Sequence, residues 1–79
     1  MKINILLRGN LSKYTNGAKE IPVEVPDNCT AAEALKIVGI DWEQISNFGF
    51  VAINNSRVMI FDQLKEGDVL KAYPRISGG

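Results

Sequence analysis

Histidine is absent from the 79 residues. That removes the commonest general base, the commonest zinc ligand, and every Ser-His or Cys-His nucleophile pair. The single cysteine, Cys29, has no partner for an internal disulfide, so a reducing, cytoplasmic setting is the expectation. Neither sign of charge is in excess. Nine basic and nine acidic side chains cancel, which leaves no electrostatic ground for a nucleic-acid partner. No apolar run approaches a membrane span, and the N-terminus lacks a charged-then-apolar signal pattern, so no membrane partner is expected. Repeats, linkers and low-complexity stretches are missing too. Most familiar ways of being an enzyme are closed to this chain.

What remains is a folded globule. Apolar residues make up 46% of the chain, well above the disordered range, although the length allows only one small core. Ile3, Ile5 and Leu7 alternate with Lys2, Asn4, Leu6 and Arg8, the period of a half-buried strand. Gly9 to Ala18 reads as a polar loop with a turn at Asn16-Gly17. Lys19 to Val25 alternates again, and Pro22 inside it marks an edge strand antiparallel to the first. Thr30-Ala31-Ala32-Glu33 is a capping box. It predicts a helix of about two and a half turns whose inner stripe is Ala31, Ala34, Leu35 and Val38, with Gly39 as the stop. Asp41 begins a further short turn through Ile45. Phe50 to Ile53 reads as a buried strand, Asn54-Asn55-Ser56 as a turn, and Arg57 to Ile60 as a short peripheral strand. Phe61 to Leu64 is expected to form one helical turn, and Lys65-Glu66-Gly67-Asp68 a tight turn into a final strand from Val69. Pro74 cannot donate to a ladder, so regular pairing should fade there.

This order offers one crossover helix, and a right-handed crossover lays a later strand parallel to the first. The expected fold is therefore α+β: a β-grasp with a mixed sheet of four to five strands and one main helix across one face. Residues 1–74 form that domain, and 75–79 form a flexible tail leaving from the central last strand. The tail ends in two glycines and a carboxylate. Gly78 and Gly79 fit a slot too narrow for any side chain. A terminal Gly-Gly arises by chance in roughly one chain in two hundred, so alone it decides little.

Three segments together carry more. Val51-Ala52-Ile53-Asn54, then Leu64 to Leu70, then Tyr73-Pro74-Arg75-Ile76-Ser77-Gly78-Gly79 resemble the ubiquitin-like sulfur carriers. That family comprises the molybdopterin synthase small subunit (MoaD) and the thiazole-forming carrier ThiS. The Tyr73-Pro74 step is more similar to the molybdopterin branch. The resemblance spans the chain and implies a chemistry. A MoeB- or ThiF-like adenylating enzyme of the ubiquitin-activating type would join Gly79 to AMP, consuming ATP, while this chain binds no cofactor itself. A sulfur nucleophile would displace AMP and leave a thiocarboxylate on Gly79. That sulfur would pass to an acceptor: a MoaE-like synthase subunit building the dithiolene, or thiazole synthase as the alternative. Gly78 would give clearance, with Arg75, Ile76 and Ser77 as the threading arm. The chain would be no enzyme by itself. In one respect it departs from the family. The partner-facing sheet surface is typically apolar, whereas the matching positions here include Arg8, Arg57 and Tyr73. Two arginines there imply an acidic or aromatic partner surface, or a different pathway.

Other readings are blander. Cys29 precedes the helix, where the dipole would lower its pKa and make it a sulfur-bearing thiol; the alternative is a small half-buried residue in the turn. Phe50 reads as core, while Trp42 is open between core and docking surface. Asp62, Glu66 and Asp68 lack the spacing of a calcium loop. A non-covalent β-grasp binding module, or a version that conjugates Gly79 to lysines, remains beside the sulfur carrier.

Overall fold

The computed structural model describes residues 1–75, so the expectations for Ile76, Ser77, Gly78 and Gly79 lie outside the described residues. The elements are β1 (Lys2–Leu7), a 3-10 helix (Gly9–Thr15), β2 (Glu20–Glu24), α1 (Ala31–Ile37), β3 (Phe48–Ile53), β4 (Ser56–Val58) and β5 (Val69–Pro74). They build one sheet in the order β2-β1-β5-β3-β4. β1 and β5 are parallel, and every other neighbouring pair is antiparallel. This is the expected β-grasp, with the last strand at the centre and Pro22 on the edge strand, opposite Asn4.

Alternation decides which side of the sheet is dry. Ile3, Ile5 and Leu7 of β1, Val51 of β3, and Leu70 and Ala72 of β5 face a shared core with Ala31, Ala34 and Leu35 of α1. The helix spans seven residues, about two turns, and is shorter than expected because Val38 already serves as its C-cap. Its start follows the capping box: Thr30 Oγ1 accepts from the Glu33 amide at 3.2 Å, and Glu33 Oε1 accepts from the Thr30 amide at 2.9 Å. Gly39, at φ +93°, ends it. So short a helix depends on packing, and its three inward residues are fully buried.

Two segments differ from expectation. The polar stretch after β1 is a 3-10 helix that drives Leu11 to complete burial, and only its end, Asn16-Gly17 with both φ positive, is the expected turn. Phe61 to Leu64 makes no helical turn. Its backbone pairs with the chain entering α1: Gln63 bridges Thr30, the Ala31 amide donates to the Asp62 carbonyl at 3.0 Å, and the Leu64 amide to the Cys29 carbonyl at 2.8 Å. Those bonds use groups that a helical turn would need. The strand expected over Arg57 to Ile60 ends at Val58, where Asp62 Oδ2 accepts from the Met59 amide at 2.9 Å.

The β3–β4 turn is tied to the start of β5. Asn54 and Asn55 both take positive φ, as a two-residue hairpin requires. Asn54 Nδ2 donates to Asp68 Oδ1 at 2.8 Å, while its Oδ1 accepts from the Val69 amide at 2.9 Å. Asp68 Oδ2 accepts from the Lys65 amide at 2.8 Å. Asp68 is therefore a structural brace for the turn and not a cation ligand. Among the described residues no cluster of acidic or cysteine side chains is arranged to hold a metal ion. No described helix is long and apolar enough to cross a membrane.

Candidate functional site

The end of β5 is where the sheet meets the tail. Pairing does not fade at Pro74 as expected: the proline is still within β5 and stands opposite Phe48. Proline lacks a donor but keeps its carbonyl, and it is held from two sides. A Cβ on Gly9 would lie 2.9 Å from Pro74 Cγ, and one on Gly49 would lie 2.6 Å from the Pro74 carbonyl oxygen. Only glycine allows both approaches. One residue on, the Arg75 amide donates to the Asn47 carbonyl at 2.6 Å. The Asn47 side chain reaches across to Asn10 Oδ1 at 2.9 Å, linking the loops on either side of β5. The chain therefore leaves the sheet from a fixed point. Gly9, Asn10, Asn47 and Gly49 have no distinctive sequence pattern; an isolated glycine between Phe48 and Phe50 was the one available sign.

That glycine also moves an aromatic ring. A register shift between Phe48 and Phe50 places two residues where one is expected. Phe48 packs toward the core, whereas Phe50, expected inside, emerges on the outer face of the sheet. There it stands opposite Tyr73 on β5, with ring centroids 4.6 Å apart and planes 9° from parallel. Arg57 from β4 lies over Phe50 with its guanidinium carbon 4.4 Å from the centroid. Arg8, just past β1, lies 5.9 Å from the Tyr73 centroid. Across the strand order the column runs Arg57, Phe50, Tyr73, Arg8. Both arginines are exposed. The structure thus brings together the three outer-face residues singled out from sequence, Arg8, Arg57 and Tyr73, and adds Phe50.

Beside this column a groove of about 610 Å³ runs toward the chain exit, bordered by Trp42, Phe48, Arg57, Met59 and Arg75. Trp42 is half-buried and meets Phe48 at 6.4 Å and Phe61 edge-on at 5.9 Å. It stands outside the core, reaching it through Phe48, and borders the groove. Met59 and Phe61 are largely exposed.

Cys29 belongs to none of this. It is buried, and desolvation with the nearby Glu33 carboxylate pushes its thiol above the ordinary value. The dipole of a two-turn helix does not overcome those effects, so an acidified thiol is not what the fold builds.

No protein-family model matches the chain, and no curated protein sequence matches it. Solved structures do. SAMP1 from Haloferax volcanii shares 22% identity, with all of both chains covered, at a TM-score of 0.77. A chain of the complex of subunits 1 and 2 of molybdopterin-converting factor from Helicobacter pylori shares 19% over all of both chains, at a TM-score of 0.64. A chain of the BexX/CysO complex from Amycolatopsis orientalis shares 23%, covering 98% of this chain and 99% of the other, at a TM-score of 0.63. At these identities the likeness is one of fold, and it runs the full length of the chain.

Proposed function

We propose that this chain is a ubiquitin-like sulfur carrier whose terminal Gly79 is adenylated and then converted to a thiocarboxylate. One observation carries the reading: the strand that leads to Gly78 and Gly79 is the central, clamped strand of a β-grasp sheet. A carboxylate is a poor electrophile, because its charge repels nucleophiles and oxide leaves badly. Transfer of AMP from ATP, with loss of pyrophosphate, supplies the missing leaving group. A persulfide then displaces AMP to give an acyl disulfide, and a second thiol cleaves its S–S bond, leaving a thiocarboxylate on Gly79 and a disulfide on the sulfur donor. The resulting thiocarboxylate sulfur is softer and more nucleophilic than oxygen, so it can attack an activated carbon of an acceptor.

The chain's own share in this is presentation. Gly9 and Gly49 fix Pro74, Arg75 is tied to Asn47, and the residues beyond are the ones that would enter a partner's slot. Gly78 gives backbone clearance and Gly79 carries the reacting atom. General acid–base work falls to the partners, which agrees with the missing histidine. Those partners are a MoeB- or ThiF-like adenylating enzyme and an acceptor subunit, MoaE-like for molybdopterin. The outer face with Arg8, Arg57 and Tyr73 is where they dock. The Tyr73-Pro74 step, more similar to the molybdopterin branch, supports the molybdopterin assignment over thiazole synthase.

A second reading has an observation of its own: the chain is also similar in fold to small archaeal modifier protein 1 of H. volcanii, at 20% identity and a TM-score of 0.76. In that version Gly79 ends in an amide with a lysine. Intact-mass spectrometry of the protein from its own cells separates the two. A shift equal to sulfur for oxygen on the C-terminal peptide is the expected result. Lysines carrying the Ile76-Ser77-Gly78-Gly79 branch that trypsin leaves after Arg75, without any thiocarboxylate, favour conjugation. Unmodified protein after incubation with ATP and the adenylating enzyme overturns both.

A further inference from the structure

Resting on the reading above only for which face meets a partner, we infer that the partner presents a pair of carboxylate side chains. The outward edges of Arg8 and Arg57 receive them on either side of the Phe50–Tyr73 stack. Sequence left an acidic or an aromatic counterpart equally open, and the stacking geometry separates them. An incoming ring or nucleobase needs a free aromatic face. Phe50 has Arg57 over it at 4.4 Å and Tyr73 against it at 4.6 Å, and the neighbour of Tyr73 on the far strand is Arg8. The column offers a partner ring edges and guanidinium edges, and no open face.

A guanidinium laid on a ring uses its flat side and keeps its N–H donors in plane, in the fork that fits a carboxylate. At 4.4 Å Arg57 rests on the Phe50 ring and is restricted in advance, so less of its rotamer freedom is lost on binding, while Arg8 stands off Tyr73 at 5.9 Å. The two guanidinium carbons can be no farther apart than the three column distances laid end to end, which sets an upper limit on the span that the carboxylates must match. Among the described residues no carboxylate lies within 4 Å of either arginine; the ion pairs found all involve Met1. Lys71, two residues before Tyr73 and on the same face, adds a third positive charge and is held by Asn55 Oδ1. The acidic side chains of β2, Glu20 and Glu24, are two strands away from Tyr73 across the sheet. A chain with no net charge thus concentrates positive charge on one half of a face. That pattern fits a local pair of protein carboxylates and not a nucleic-acid strand, whose longer row of charges would also meet the acidic half.

The test is an NMR titration of the full chain with hexaglutamate, hexaglutamine and hexauridylate, following the side-chain Nε–H signals of its three arginines. Arg8 and Arg57 are expected to shift together and saturably with hexaglutamate, more than Arg75, and not with hexaglutamine. Arg57→Lys keeps the charge but loses the fork, and should weaken hexaglutamate binding about fivefold. Its amide spectrum verifies that the fold is intact. Equal shifts with hexaglutamate and hexaglutamine overturn the inference. Tighter binding of hexauridylate than of hexaglutamate also overturns it and assigns the face to nucleic acid. A wild-type chain that is never adenylated refutes the carrier reading and leaves the titration result standing.

Discussion

Gly49 and Pro74 meet so closely that a single added carbon would collide: a Cβ on Gly49 would stand 2.6 Å from the Pro74 carbonyl oxygen. The atom it meets is backbone in the central strand and cannot swing aside. Gly49→Ala should therefore cost about 1–3 kcal/mol, a fall in Tm of about 4–8 °C for each kcal/mol in a domain of this size. Thermal unfolding followed by circular dichroism measures it. An unchanged Tm contradicts the contact.

The capping box makes stability depend on acid. The Thr30 backbone amide, and then its hydroxyl, hold the Glu33 carboxyl below its ordinary value. A group whose folded pKa is depressed stabilises fully above its unfolded value, and that contribution is lost as pH falls through the folded value. Glu33 is thus expected to support the fold at neutral pH and to release that support below about 4.5, the ordinary value for the group. Glu33→Gln keeps an acceptor oxygen but cannot titrate. Its urea midpoint should be lower at pH 7, and the gap from wild type should close in acid. A gap that stays constant down to pH 3 contradicts the assignment.

Cys29 should be a slow thiol. Burial and the Glu33 carboxylate raise its pKa, so little thiolate is present at neutral pH. Alkylation by iodoacetamide at pH 7.5 should be slow in the native protein and rapid in urea. Cys29→Ala should cost about 1 kcal/mol from lost packing and leave thiocarboxylate formation intact. Fast native alkylation would show the thiol to be more acidic and more open than the fold provides.

Much of this was legible because local rules and the global fold agree. The alternation of Ile3, Ile5 and Leu7, the Thr30–Glu33 box and Pro22 on an edge each act within a few residues, where periodicity and capping operate. The outer-face positions of Arg8, Arg57 and Tyr73 followed from strand parity once element order was set. Phe50 was misplaced because Phe50 to Ile53 is an unbroken apolar run that names no face by itself; alternation with inward Val51 turns Phe50 out, while the bulge at Gly49, set by its closeness to a strand distant in sequence, returns Phe48 to the core side. Leu11 was hidden by polar neighbours, since one apolar residue in a 3-10 helix creates no period. Phe61 to Leu64 has plausible helical composition, but its backbone bonds go to the entry of α1, a tertiary claim that propensity does not express. The exit clamp was invisible for the same reason: Asn10, Asn47 and Pro74 meet only in three dimensions.

The parallel pairing of β1 with β5 has a consequence for how the protein is made. Leu7 lies opposite Ala72, so the first strand synthesised waits for the last before the middle of the sheet can close. At ribosomal rates of about 5–20 residues per second, that interval lasts roughly 3–13 s. During it β1 can pair with β2, but the backbone groups of its other edge stay unpaired, beside a face of Ile3, Ile5 and Leu7 that the last strand does not yet help to cover. A nascent chain in that state resembles half a sandwich with a sticky margin. Expression yield should accordingly respond more to chaperone supply than to the stability of the finished fold.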